Sequence, residues 1–202
     1  SVGLRKINAS IDNRGTMDIQ RHLQLIEAGH DYTNSGTIEV SGGGLEIRNF
    51  GTLTNTATGQ ILAPVTPLTI TDFTTLDNAG LIDVDGGQFL LHTFTDVTNT
   101  GTVDVSAGRW QIYGYGTFDT SGVVLLGAGQ RLDVDGGVFT YQGGTLGGGQ
   151  LYFDNSAELV LAADFELTAE KLYLYEATVT GPGSLTNTAT IHARDAAFGA
   201  DV

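Results

Sequence analysis

The chain has no cysteine, which excludes disulfides and thiolate metal sites and leaves the redox compartment open. Charge is scarce as well: Asp, Glu, Lys and Arg make up 16% of the residues, below the usual quarter. Basic residues are scarcest, 9 against 23 acidic, for a net charge of −14. A protein that grips nucleic-acid backbones needs a basic face, so nucleic acid is excluded as a general partner. No apolar run approaches the ~18 residues of a membrane span, so membrane insertion by this segment is not expected. Helix formers never cluster for long; the best helical candidate is about one turn, Leu167 to Lys171. The chain opens on Ser1 without a Met or a signal peptide, which suggests a mature or excised piece of something longer.

Glycine is abundant, at 29 residues, and with Thr and Asn it points to turn-rich β-structure. The 202 residues then resolve into a repeat. Asn13, Asn34, Asn55, Asn78 and Asn99 stand 21, 21, 23 and 21 residues apart, and Thr120 follows after another 21. The longer interval has a local cause: Asn55-Thr56-Ala57-Thr58-Gly59-Gln60-Ile61 takes two more residues to reach its strand than the matching stretch after Asn34.

Four coils align almost position by position. A first strand carries Ile38/Val40, Ile61/Ala63, Ile82/Val84 and Val103/Val105. A short turn follows, then a second strand with Leu45/Ile47, Leu68/Ile70, Phe89/Leu91 and Trp110/Ile112. Next come Phe50, Phe73, Phe94 and Tyr115, then Leu53, Leu76, Val97 and Phe118, and then the next Asn corner. This is period-2 alternation in strands too short for a sandwich, broken at fixed offsets. It predicts an all-β fold, a right-handed parallel β-helix (β-solenoid) of about nine coils of about 21 residues, with three short strands per coil. The whole chain, 1–202, reads as one solenoid domain. The corner Asn is expected to tolerate a left-handed backbone and to bond its neighbours one coil up and down. The Gly two places later is expected to add freedom at the bend.

The pattern loosens at both ends. The first coil keeps Met17/Ile19 and Leu23/Leu25 but has Gly29 where an aromatic is expected, and it holds Arg5, Lys6, Arg14 and Arg21. Past Thr120, Val124/Leu126, Leu132/Val134, Leu151/Phe153, Leu159/Leu161, Phe165/Leu167 and Leu172/Leu174 continue the alternation. Gln142 reads as the next corner, and Asn187 as a corner two coils later. No capping helix is evident. A bare solenoid end is an exposed strand edge, so the array is expected to continue in both directions.

Units such as Thr98-Asn99-Thr100-Gly101-Thr102-Val103-Asp104-Val105 and Gly183-Ser184-Leu185-Thr186-Asn187-Thr188-Ala189-Thr190-Ile191 resemble the β-helical repeats of large secreted bacterial surface proteins, the autotransporter passenger domains and filamentous-haemagglutinin-like adhesins. The resemblance spans about Asn13 to Ala193. It implies an extracellular or cell-surface location and a structural or adhesive role, with surface glycans or end-to-end copies of the chain as partners. Pectate-lyase-like polysaccharide-active enzymes share the fold, so an enzyme or polysaccharide binder is the alternative. Their cleft comes from long loop insertions with clustered Asp, Arg and Lys; here the largest clear insertion in the regular part is two residues.

Candidate chemistry is confined to outward columns. The middle residue of the first strand gives Asp18, Glu39, Leu62, Asp83, Asp104 and Leu125, with His192 in the equivalent place later. Asp83 and Asp104 should lie side by side, with Asp85 on the same face. Close carboxylates resist joint ionisation unless a cation or proton intervenes, so Asp83, Asp85 and Asp104 are candidate calcium ligands, or paired acids for glycoside hydrolysis. The plain alternative is a solvated acidic face. Asp133 and Asp135 repeat the Asp-Val-Asp-Gly-Gly motif. A second column runs Arg48, Thr71, His92, Tyr113, where His92 beside Tyr113 offers a contact to a sugar. Trp110 aligns with core positions, and Tyr173 and Tyr175 face outward together. Thr33, Thr54, Thr98 and Thr186 flank corners as turn chemistry, with Asp12, Asp77 and Asp119 interrupting the column. No nucleophile elbow, phosphate loop or His metal spacing appears, so no catalytic residue and no cofactor other than calcium is assigned.

Overall fold

The computed structural model describes residues 5–26, 28–114 and 116–199. Among them are 24 strands and no helix. Every strand pairing is parallel, and each strand away from the end coils bonds the one a coil above and the one a coil below. About nine coils of about 21 residues stack into a β-solenoid. At about 4.8 Å per coil the stack is roughly 43 Å long. The cause is the alternation itself. Each inward column, such as Ile38, Ile61, Ile82, Val103 and Val124, is in register and buried. One coil has no core of its own; its neighbours supply it, at about 1.5–3 kcal/mol per large side chain buried. The expected helical turn is absent. Leu167 to Lys171 lies inside the strand Phe165–Tyr175, where buried Leu167 and Ala169 alternate with exposed Thr168 and Glu170. Burial on a two-residue period overrides helix propensity there.

Each coil presents three outer faces. The first-strand face includes Leu81–Val84 and Thr102–Val105. In three coils the second and third strands run together, as Leu45–Asn55, Leu68–Asn78 and Gln88–Asn99. Each long strand bends at a left-handed residue: Asn49 (φ 57°), Asp72 (φ 55°) and Thr93 (φ 53°). The column continues through Gly114, Gly136, Asn155, Glu176 and Asp195, all with positive φ.

The Asn corner differs from expectation in one respect. Asn34, Asn55, Asn78 and Asn99 are not among the positive-φ residues; the left-handed bends lie between the second and third strands instead. The corner Asn works through its side chain. Asn13 Nδ2 donates to Asn34 Oδ1 at 2.7 Å, and the Asn34–Asn55, Asn55–Asn78 and Asn78–Asn99 bonds follow at 2.8 Å each. Asn99 ends the run on Thr120 Oγ1 at 3.1 Å. Each Nδ2 also donates to a backbone carbonyl, as Asn78 does to Thr102 at 3.2 Å. The following Gly serves space rather than torsion. A Cβ on Gly80 would collide with the backbone carbonyls of Gly59 and Thr56.

Beyond Thr120 the corner drifts from its expected place. Tyr141, in register with Thr120, takes the position, and its hydroxyl donates to the Gly144 carbonyl at 3.0 Å; Gln142 is exposed. Leu161 follows Tyr141. Asn187 is not a corner of the ladder. It is exposed, in register with Leu167, and its Oδ1 accepts from Ala189 N at 3.0 Å in a local turn. At the other end, Tyr32 packs edge-on against Phe50, which heads a stack with Phe73 and Phe94. Tyr115, the expected next rung, lies outside the described residues.

Candidate functional site

The first-strand column holds as read through Leu125: Asp18, Glu39, Leu62, Asp83, Asp104 and Leu125 are successive register partners. Two environments result. Asp18 is exposed, and its carboxylate accepts from Ser41 Oγ at 2.5 Å and Gln20 Nε2 at 2.6 Å; these bonds lower its pKa. Asp83 and Asp104 lie between Leu62 and Leu125, and burial raises both pKa values. The charge of Asp85 adds to the rise at each, and Asp104 and a hydrogen bond with Asp85 add further at Asp83. Ser106 Oγ donates to Asp85. Asp83, Asp85 and Asp104 therefore interact as expected. Among the described residues, no group of three or more His, Asp or Glu side chains is arranged to hold a metal ion.

The second-strand face is richer than the sequence suggested. Its middle outward column runs Leu90, Gln111, Asp133, Tyr152, Tyr173, His192. His192 thus leaves the first-strand column assigned to it. The coil from Leu172 to Ile191 is two residues shorter than the one before it, from Leu151 to Leu172, and Thr190–Arg194 pairs with Lys171 to Tyr175 on this face.

Asp133 does not repeat the half-buried setting of Asp83. Its side chain is 6% exposed, and Arg109 and Arg131 each donate to it through Nε. Arg109 and Arg131 stand in the neighbouring column, one coil apart. A buried carboxylate needs such pairing, because an unpaired charge there is costly. The Arg131 guanidinium lies 3.5 Å over the Tyr152 ring. Tyr152 stacks on Tyr173 at 3.9 Å, and Tyr173 on His192 at 4.7 Å. Tyr175 leans on Tyr173 at 5.9 Å, beneath the Arg194 guanidinium. Burial, then hydrogen bonding to Tyr173, pushes the Tyr152 phenol up to about 12. The outward pair Tyr173 and Tyr175 is thus part of a longer stack. It presents ring edges, since neighbours cover the faces.

Between the columns lies a notch of about 100 Å³, lined by Arg109, Tyr113, Arg131, Asp133, Asp135, Tyr152 and Asp154 among others. Tyr113 meets His92 edge-on at 6.2 Å, as the column Arg48, Thr71, His92, Tyr113 implies. Trp110 is core, fully buried and stacked on Phe89. The Asp133 ion pairs and the place of Tyr152 went unread in the sequence. The outward columns past Thr120 depend on a coil contraction between Arg131 and Gln150.

The fold and these faces define the class: a parallel β-solenoid with ordered polar outer surfaces. No protein-family model, curated protein or solved structure matches the chain.

Proposed function

We propose that this chain is a structural and adhesive β-solenoid segment of a secreted or cell-surface bacterial protein. The carrying observation is the continuous in-register stack, in which hydrophobic columns and the Asn ladder lock coil to coil. A rod built this way holds side chains at a fixed spacing and presents them to a partner, with surface glycans or further copies stacked end to end as the expected occupants. The uneven, ion-paired second-strand face supports display on that side. A right-handed winding is what the resemblance implies and what the general preference for right-handed crossovers between parallel strands favours.

The runner-up is a polysaccharide-cleaving solenoid. Among the described residues the coils carry no long insertion that walls a cleft, and this supports binding over cleavage. Incubation with a panel of polysaccharides and assay for new reducing ends separates the two: the rod produces none, and a steady rise with time would replace it with the enzyme. A calcium-stabilised module is a second alternative, because burial and then the neighbouring Asp85 charge raise the Asp83 and Asp104 pKa values, and a cation would offset the charge at this cluster. A thermal melt in the millimolar calcium typical of extracellular modules checks it, and an unchanged midpoint removes it.

A further inference from the structure

We infer that the notch between Tyr113 and Tyr152 is a binding site for a neutral, hydroxyl-rich glycan chain lying along the solenoid axis. The inference rests on the adhesive reading and names its partner and its face. Gln111 and Asp133 fill the middle column where Tyr152 stands one coil later, and Asp135 follows Tyr113 in the outer column. Shorter side chains therefore separate two projecting tyrosines, which leaves a notch of about 100 Å³.

The groups around it are complementary to sugar hydroxyls. Arg109 and Arg131 supply guanidinium N–H donors, and both are held in place by buried Asp133. Asp135 and Asp154 supply acceptors. Asp135 is oriented by Asn155 Nδ2 at 2.8 Å, and Asp154 accepts the Asn155 backbone N–H at 2.7 Å. Arg131 covers the face of Tyr152, so on that side the notch offers a guanidinium and not a ring. Tyr113 is the aromatic wall on the other.

Charge decides between neutral and acidic ligands. Asp133 already pairs with both guanidinium groups, and Asp135 and Asp154 leave the rim acidic. A uronate or sulfate would meet like charge there; a neutral sugar would not. The coil spacing of about 4.8 Å is close to the length of one sugar residue in a chain, so a polymer along the axis advances by about one sugar per coil. The edges of Tyr152, Tyr173 and His192 continue the track.

The test is affinity electrophoresis of the intact chain through gels containing a neutral β-glucan, a neutral galactomannan, or polygalacturonate. At least one neutral polymer slows migration and polygalacturonate does not. Tyr113→Ala and Asp135→Asn each weaken that retardation at least about ten-fold, as central interface residues do. Asp83→Asn, on the first-strand face, leaves it intact. Fluorescence of the single tryptophan, buried Trp110, confirms that each variant is folded. Retardation by polygalacturonate alone, by no neutral polymer, or unchanged in both notch variants overturns the inference. Beads coated with the chain that adhere to a surface without any such retardation would sink the notch and leave the adhesive reading standing.

Discussion

At the residue scale, one residue type plays different parts in different places. Asn78 is 2% exposed, accepts from Asn55, and donates to Asn99 and to the Thr102 carbonyl. Asn78→Ala strands several buried partners at once, and a loss on the order of 3 kcal/mol is expected in urea unfolding. Asn187 sits in a similar sequence but is exposed with a local turn bond, so Asn187→Ala should stay within about 0.5 kcal/mol. Equal losses at the two sites would contradict the ladder's role. The carboxylates divide in the same way. Burial, then the Asp85 charge, raises the Asp104 pKa above its ordinary value. A raised folded-state pKa means that the folded chain holds the proton more tightly. Its contribution is therefore full below the unfolded value of about 4 and is lost as pH rises through the folded value. Asp104→Asn should raise the melting temperature at neutral pH and leave it nearly unchanged well below pH ~4. A pH-independent effect would show that charge is not the cause.

At the element scale, the coils were legible because the inward columns repeat with little change. Ile38, Ile61, Ile82 and Val103 announce both strand and register, and the amide ladder followed from spacing alone. The bends were less legible. Left-handed backbone falls on Asn49, Asp72, Thr93 and Gly114, a column of mixed residue types, while the conspicuous Asn column is not left-handed. Thr93 is the costly member, since a β-branched residue at φ 53° is strained by about 1–2 kcal/mol. Thr93→Asn should stabilise the chain by up to about 1 kcal/mol in chemical unfolding; a destabilised variant would mean that the threonine contacts outweigh the strain. The outer notch was not legible. It requires Asp133 to align with Gln111 and Tyr152, an alignment set by coil lengths that change after Thr120. His192 was misplaced for the same physical reason, because inward positions accept any apolar residue and do not report a two-residue contraction.

At the scale of the whole molecule, the net charge of −14 is spread over a rod whose core is one continuous apolar cluster. Acid on the first-strand face favours solubility, while the second-strand face carries Arg109, Arg131, Lys171 and Arg194 among its tyrosines. In the proposed function this rod holds a partner without changing it. The most direct measurement couples the chain to beads and follows their retention under flow on polysaccharide-coated glass, with the effluent assayed for released sugar. The account predicts retention that falls on adding free polymer, with no sugar released beyond uncoated controls. Beads that wash off like controls, or retention accompanied by steadily released fragments, would contradict it.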